Sequence, residues 1–276
     1  MTPAISYRTV CTGDALQTVE AHCKTPKEDE KGEALEFFGA NFCPFVHRAW
    51  IALEILGVEY RYIEVDPYKK TKELLDVNPK GLVPALKIDK QGRCLGESTV
   101  IMEYLIDRYD VPSGKHLLLP KDAFLRAQHR LAADRVNRSL IPSFYRYLQA
   151  QEEDKQMKFG KEFVSELEAF TASMKEEKEG SFWDGSDRLG WADIMVAPWI
   201  FRANTVLRHY RGLQLEKVIE KEGRFSKWME ATLQHPSFKA TTSTDDLYLD
   251  SYARYAENRP NTSQVANAIN SGRGLP

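Results

Sequence analysis

The sequence predicts an α/β domain of order βαβαββα followed by an all-helical domain, and three observations carry that prediction. A strand, a helix and a second strand, joined by short loops, occupy residues 35–65. A turn signal, Asp89-Lys90-Gln91-Gly92, then separates two short apolar runs. After Pro120 the chain changes to long stretches with helical spacing and few strand signals.

The elements follow in order. Residues 1–33 read as an N-terminal extension, with the charged run Thr25-Pro26-Lys27-Glu28-Asp29-Glu30-Lys31-Gly32 as loop. Leu35–Gly39 is a short strand. The helix after Cys43 places Val46, Ala49, Trp50, Leu53 and Leu56 on one face, and Gly57 ends it. Tyr60–Val65 alternates as a strand does, which completes a βαβ unit with parallel strands and a right-handed crossover. Tyr68–Val77 is polar and partly helical. Ala85–Ile88 and Arg93–Leu95 flank the turn as a β-hairpin, and Thr99–Arg108 is an amphipathic helix. Residues 34–110 thus form the first domain and 111–120 a linker. The helical domain, 121–244, carries helices near Ala123–Ala150, Lys158–Lys178, Trp191–His209 and Phe225–Gln234. Pro142 is expected to kink or break the first of these. Gly190-Trp191-Ala192-Asp193 reads as a helix start, with Asp193 reaching back to the cap N–H. The tail, 245–276, is polar and expected to be irregular.

Composition narrows the function. The 276 residues are 42% apolar and 28% charged, ordinary for a globular chain with a sizeable core. Thirty-eight basic and 40 acidic residues leave a net charge of −2, with no basic excess to attract nucleic acid. No run approaches the ~18 apolar residues that suggest a membrane span, and Met1–Lys31 has no apolar signal core. Four cysteines (Cys11, Cys23, Cys43, Cys94) do not make a disulfide scaffold in a chain this long, and a cytoplasmic location follows as the simplest reading.

Cys43, in Phe42-Cys43-Pro44-Phe45, is the most informative position. It opens a helix, where backbone N–H groups lack intrahelical partners and the dipole favours an anion. Thiols so placed ionise more readily than a free cysteine. Proline suits the first turn, where its missing donor is not needed. A lone cysteine is more often a small core residue, so the flanking motifs decide the matter. Cys94 reads as packing, and Cys11 and Cys23 as solvent-exposed thiols of the extension. His47 lies one turn after Cys43 with no second ligand pair nearby, so no metal site is expected. Position 46 is Val, where dithiol redox proteins carry a second cysteine, so an intramolecular disulfide cycle is not expected.

Residues 34 to 240 resemble the cytosolic glutathione transferases, and most closely their omega class. Cys43-Pro44-Phe45-Val46-His47-Arg48 resembles the omega cysteine motif, and Asn78-Pro79-Lys80-Gly81-Leu82-Val83-Pro84 the family's cis-proline loop. Glu97-Ser98 resembles its γ-glutamyl-binding pair, and Gly190-Trp191-Ala192-Asp193 with Pro198-Trp199 its helical-domain cap motif. Gly190 departs from the usual Ser or Thr, which gives up a side-chain bond worth a few tenths of a kcal/mol.

The resemblance implies a thioredoxin-like first domain, glutathione as co-substrate, no metal, and a homodimer. It also implies a set of roles. Cys43 is the nucleophile. Pro84 is a structural cis-proline that turns the Val83 backbone outward to pair with an extended peptide, as strands pair. Glu97 takes the γ-glutamyl ammonium and Ser98, at a helix N-terminus, the carboxylate. Lys70 reaches the glycyl carboxylate, Phe45 lies under the tripeptide and Leu82 lines it. Lys70 otherwise reads as part of a solvated charge run, and Arg48 as the partner of a nearby carboxylate. Phe144, Tyr145, Tyr147, Trp199 and Arg202 are candidates for lining the pocket of a small aromatic second substrate. The implied activity is thiol transfer, dehydroascorbate reduction and reductive deglutathionylation. The alternative on the same fold is a binding protein for aromatic small molecules, with little or no turnover. A chloride-intracellular-channel-like protein ranks lower for want of a long apolar segment. So does a glutathionyl-hydroquinone reductase, for want of a Trp at Phe45.

Overall fold

The structure is a computed structural model that describes residues 7–275 apart from positions 90, 116 and 221. The chain divides into two compact units, Met1–Leu118 with Pro236–Leu247, and Leu119–His235 with Tyr248–Pro276.

The first unit is built on four strands: β1 (Leu35–Gly39), β2 (Tyr60–Glu64), β3 (Ala85–Lys87) and β4 (Cys94–Gly96). Their order is β2-β1-β3-β4, with β1 parallel to β2 and antiparallel to β3. This is the βαβαββα order with its mixed sheet. Alternate side chains of β1 serve opposite faces. Phe37 meets Tyr60 and Tyr62 on the side of α2 (Pro44–Leu56), where Trp50 lies 4.5 Å from Tyr62. Phe38 joins Val65, Ala85, Leu74 and Val77, the last two from α3 (Lys72–Val77). Cys94 packs against that cluster, as expected of a core thiol. Helix α4 (Ser98–Leu105) packs on α2, continues into a π turn at 106–110, and is followed by a short turn where a linker was expected. Buried Asp110 accepts the Leu117 and Leu118 amides at 2.7 and 3.0 Å.

Three expectations for this unit are corrected. The N-terminal extension contains a helix, α1 (Gly13–Ala21), that packs on the segment after residue 235. Thr18 donates to the Ala240 carbonyl at 2.6 Å, and the Thr12 amide to Ser243 at 3.2 Å. Cys11, expected at the surface, is 1% exposed because this contact covers it; Cys23 is exposed. Helix α2 is buried nearly all round rather than on one face, His47 and Arg48 included.

The second unit is helical. Its first long helix runs through Pro142 without a break: Ala123–Arg135, a π turn at 136–140, then Ile141–Gln149. The widened turn accommodates the pyrrolidine ring and its missing donor. Glu153–Ser173, Trp191–Arg202 and Arg224–Gln234 follow. Buried Asp193 accepts the amides of Gly190 at 2.9 Å and Trp183 at 2.8 Å, and the indole of Trp228 at 2.7 Å. The tail is not irregular. It forms helices Asp245–Ala256 and Gln264–Asn270, because Leu247, Tyr248, Tyr252, Ala266 and Ile269 supply a buried face that its polar composition concealed.

Candidate functional site

The loop 78–84 gathers most of the residues singled out by the sequence. Asn78 folds it: its carbonyl accepts the Gly81 amide at 2.7 Å, its Oδ1 the Lys80 amide at 3.2 Å, and its Nδ2 donates to the Leu82 carbonyl at 2.9 Å. The Val83–Pro84 peptide is cis. Cys43 is the N-cap of α2, in extended conformation with Pro44 at the first helical position. Its Sγ lies 3.9 Å from the Val83 carbonyl, and the thiol is half-buried. Thiol, helix N-terminus and cis-proline loop therefore meet at one point.

The remaining residues stand round that loop. Lys70 lies across Gly81 and donates from Nζ to the Lys80 carbonyl at 3.1 Å. Glycine suits position 81 because its φ is +61°, and the Lys70 chain that lies over it would have to shift for a Cβ, which would meet its Cδ at 2.5 Å. Glu97 precedes α4 with φ 65°, a conformation that costs a non-glycine residue on the order of 1–3 kcal/mol and calls for a functional explanation. Its carboxylate pairs with Lys80 Nζ at 3.3 Å across an exposed surface. Ser98 is buried at the first position of α4. Phe45, in the first turn of α2, is half-buried with the Arg48 guanidinium 5.5 Å from its ring centroid. Leu82 is likewise half-buried.

Several residues fall elsewhere. His47 is buried, 3.1 Å from the Thr241 hydroxyl and 3.3 Å from that of Thr242. Among the described residues no group of three His, Cys, Asp or Glu side chains could hold a metal ion, and no helix is long and apolar enough to cross a membrane. Phe144, Tyr145, Trp199 and Arg202 are core residues of the second unit. Arg202 donates to the Pro198 carbonyl at 2.8 Å and lies over Tyr248 and Tyr252. Tyr147 is buried too and donates to the Arg211 carbonyl at 3.1 Å. Helical spacing of aromatics marked a core, not a pocket.

Sequence reasoning missed Asn78 and Lys80. An Asn-Pro-x-Gly run signals a turn, but which carbonyl the amide holds depends on the folded path. It also missed Glu64 and Asn41, joined by an Asn41 N–H to Glu64 Oε1 bond of 2.8 Å behind the thiol.

The chain is similar to known proteins over most of its length. Residues 42–108 match the family described as Glutathione S-transferase, N-terminal domain. A probable glutathione S-transferase of Nicotiana tabacum is 35% identical over 205 residues, 71% of this chain and 82% of the relative. The crystal structure of glutathione transferase Omega 3C from Trametes versicolor is 34% identical with a TM-score of 0.76, covering 90% of this chain and 98% of that one. Rice GST1, solved in complex with glutathione, is 27% identical with a TM-score of 0.71, covering 83% and 98%.

Proposed function

Because this chain belongs to the glutathione transferase family, we propose that it is a glutathione-dependent thiol transferase of the omega type, with Cys43 as the nucleophile. One observation carries this reading: a thiol, not a hydroxyl, occupies the N-cap of α2, 3.9 Å from the carbonyl of the cis-proline loop. A tyrosine or serine there would hold the thiolate of glutathione for attack on electrophiles. A cysteine instead bonds to its sulfur.

The cycle has two displacements. The Cys43 thiolate attacks the glutathione sulfur of a mixed disulfide, R–S–S–G. The S–S bond breaks, R–S⁻ leaves with the electron pair and takes a proton, and Cys43 becomes glutathionylated. A second glutathione thiolate attacks the glutathionyl sulfur, which releases oxidised glutathione and restores Cys43. Val46 stands where a resolving cysteine would be, so the second glutathione must come from solution. On this reading Val83 pairs with the cysteinyl backbone, Glu97 takes the γ-glutamyl ammonium, and Ser98 its carboxylate. Lys70 takes the glycyl carboxylate, and Phe45 and Leu82 line the tripeptide. The protein works as a cytoplasmic homodimer on a small aromatic second substrate.

Treatment with oxidised glutathione followed by peptide mass spectrometry tests the reading. One glutathione per chain, on Cys43, is expected. Cys43→Ser is expected to abolish exchange while leaving glutathione affinity within about twofold. An adduct on exposed Cys23 alone, or exchange at the wild-type rate in Cys43→Ser, overturns it.

A further inference from the structure

The turn that carries the nucleophile is braced from behind by a carboxylate that the proposed chemistry does not use. Glu64 ends β2 opposite Gly39, the last residue of β1. Its side chain therefore reaches the turn that begins at Ala40, which closes with a Cys43 N–H to Ala40 carbonyl bond of 2.9 Å. Oε1 of Glu64 accepts the Asn41 amide at 2.8 Å. Oε2 accepts the thiol of buried Cys11 at 3.2 Å. The Asn41 side chain donates in turn to the Arg8 carbonyl at 3.2 Å. The Tyr7 hydroxyl is bonded to Asp66 at 2.7 Å, two residues beyond Glu64. The 7–12 arm, the end of β2 and the turn before Cys43 are thus one bonded assembly.

We propose that Glu64 is a positioning residue for Cys43: its carboxylate, bridging the Asn41 amide and the Cys11 thiol, holds the turn that sets the nucleophile, and its protonation loosens that turn. The inference rests on the reading of Cys43 as the reacting thiol.

Other titratable groups face Glu64. Cys11 faces it from the arm and Tyr62 from β2, while Ser243 bonds to Cys11 from the segment after residue 235. Burial, reinforced by the Glu64 charge, pushes the Cys11 thiol and the Tyr62 phenol far up, so both keep their protons through the neutral range. Burial also raises Glu64, against the bonds from Cys11 and Asn41 that favour its anion, and brings it to about 7. Protonation there weakens the charge-assisted bonds from the Cys11 thiol, the Asn41 amide and the Cys11 amide, since neutral bonds have roughly half the strength.

The experiment is alkylation of the full chain by iodoacetamide from about pH 5 to about pH 9, with the rate read at Cys43 alone by peptide mass spectrometry. The wild type is expected to show two ionisations in that profile, the thiol's own and a second near 7. Glu64→Gln is expected to lose the second while its glutathione affinity stays within about twofold. Cys11→Ala, which removes a bond favouring the anion, is expected to move the second step to higher pH, and it decides the matter if Glu64→Gln fails to fold. A folded Glu64→Gln whose profile superimposes on the wild type, or an unmoved step in Cys11→Ala, overturns this inference alone. A wild-type Cys43 that is inert throughout overturns the functional reading and this inference with it.

Discussion

If Glu97 takes the γ-glutamyl ammonium, as proposed, Glu97→Gln is expected to weaken glutathione binding and Lys80→Met to strengthen it. In the structure the Glu97 carboxylate is held by Lys80 at 3.3 Å, with side chains 57% and 69% exposed. An exposed pair of this kind contributes roughly 0.2–1 kcal/mol. On the proposed reading the γ-glutamyl ammonium binds the same carboxylate, displaces Lys80 and makes a charge-assisted bond. Such bonds contribute roughly 1.5–3 kcal/mol, and solvent screening at this exposed site reduces that to about 1–2. In a Lys80→Met chain, where no internal cation has to leave, replacing Glu97 by Gln therefore raises Kd by roughly 5- to 30-fold, and with Lys80 present the lost ion pair offsets part of this. Removing Lys80 frees the carboxylate in advance and lowers Kd by at most about fivefold.

Isothermal titration with glutathione in the Cys43→Ser background measures both, free of disulfide formation. Glu97→Gln costs more in a Lys80→Met chain than in one with Lys80, because no internal cation has to leave. Both effects shrink as salt rises, since exposed charges are screened. Unchanged affinity on adding Glu97→Gln to the Lys80→Met chain, or weaker binding in Lys80→Met alone, refutes the assignment of Glu97 to the ammonium.

Three further outcomes concern stability. Gly39→Ala sets a Cβ 2.6 Å from the Tyr62 hydroxyl and 2.8 Å from Val46 Cγ1, and destabilises by about 1–3 kcal/mol in urea unfolding. Asp184 is raised by burial but lowered more by its bonds from His129 and Ser186, to about 2. Its folded value lies below the unfolded 3.8, so its contribution of about 2 kcal/mol is present above pH 4 and lost as pH falls through 2. Asp184→Asn flattens that acid limb in pH-dependent unfolding. Asp193→Asn presents an amide N–H₂ to some of the three donors that now meet the carboxylate, and thermal unfolding registers a loss of about 1–3 kcal/mol.

Much of the candidate site's local geometry was legible because its signals are local. A cysteine before a proline at the start of a helix, a proline after Val83 and a Glu-Ser pair before α4 each act through the backbone of their own segment. What could not be read were partners across the chain. Lys80 meets Glu97 over 17 positions, and Cys11 meets Glu64 over 53. Cys11 looked like a surface thiol because the segment that covers it lies more than two hundred residues on.

By itself the sequence determined the order of strands and helices in the first unit, the helical character of the second, and a thiol at a helix start. Periodicity and turn chemistry act over a few residues, so they are written in the chain. Only the tertiary structure decided that the N-terminal extension and the 236–247 segment belong to the first unit, that the tail is helical, and that the candidate pocket aromatics are core. Burial is a property of what packs against a residue, and for Cys11, Glu64 and Trp199 those neighbours come from remote parts of the sequence.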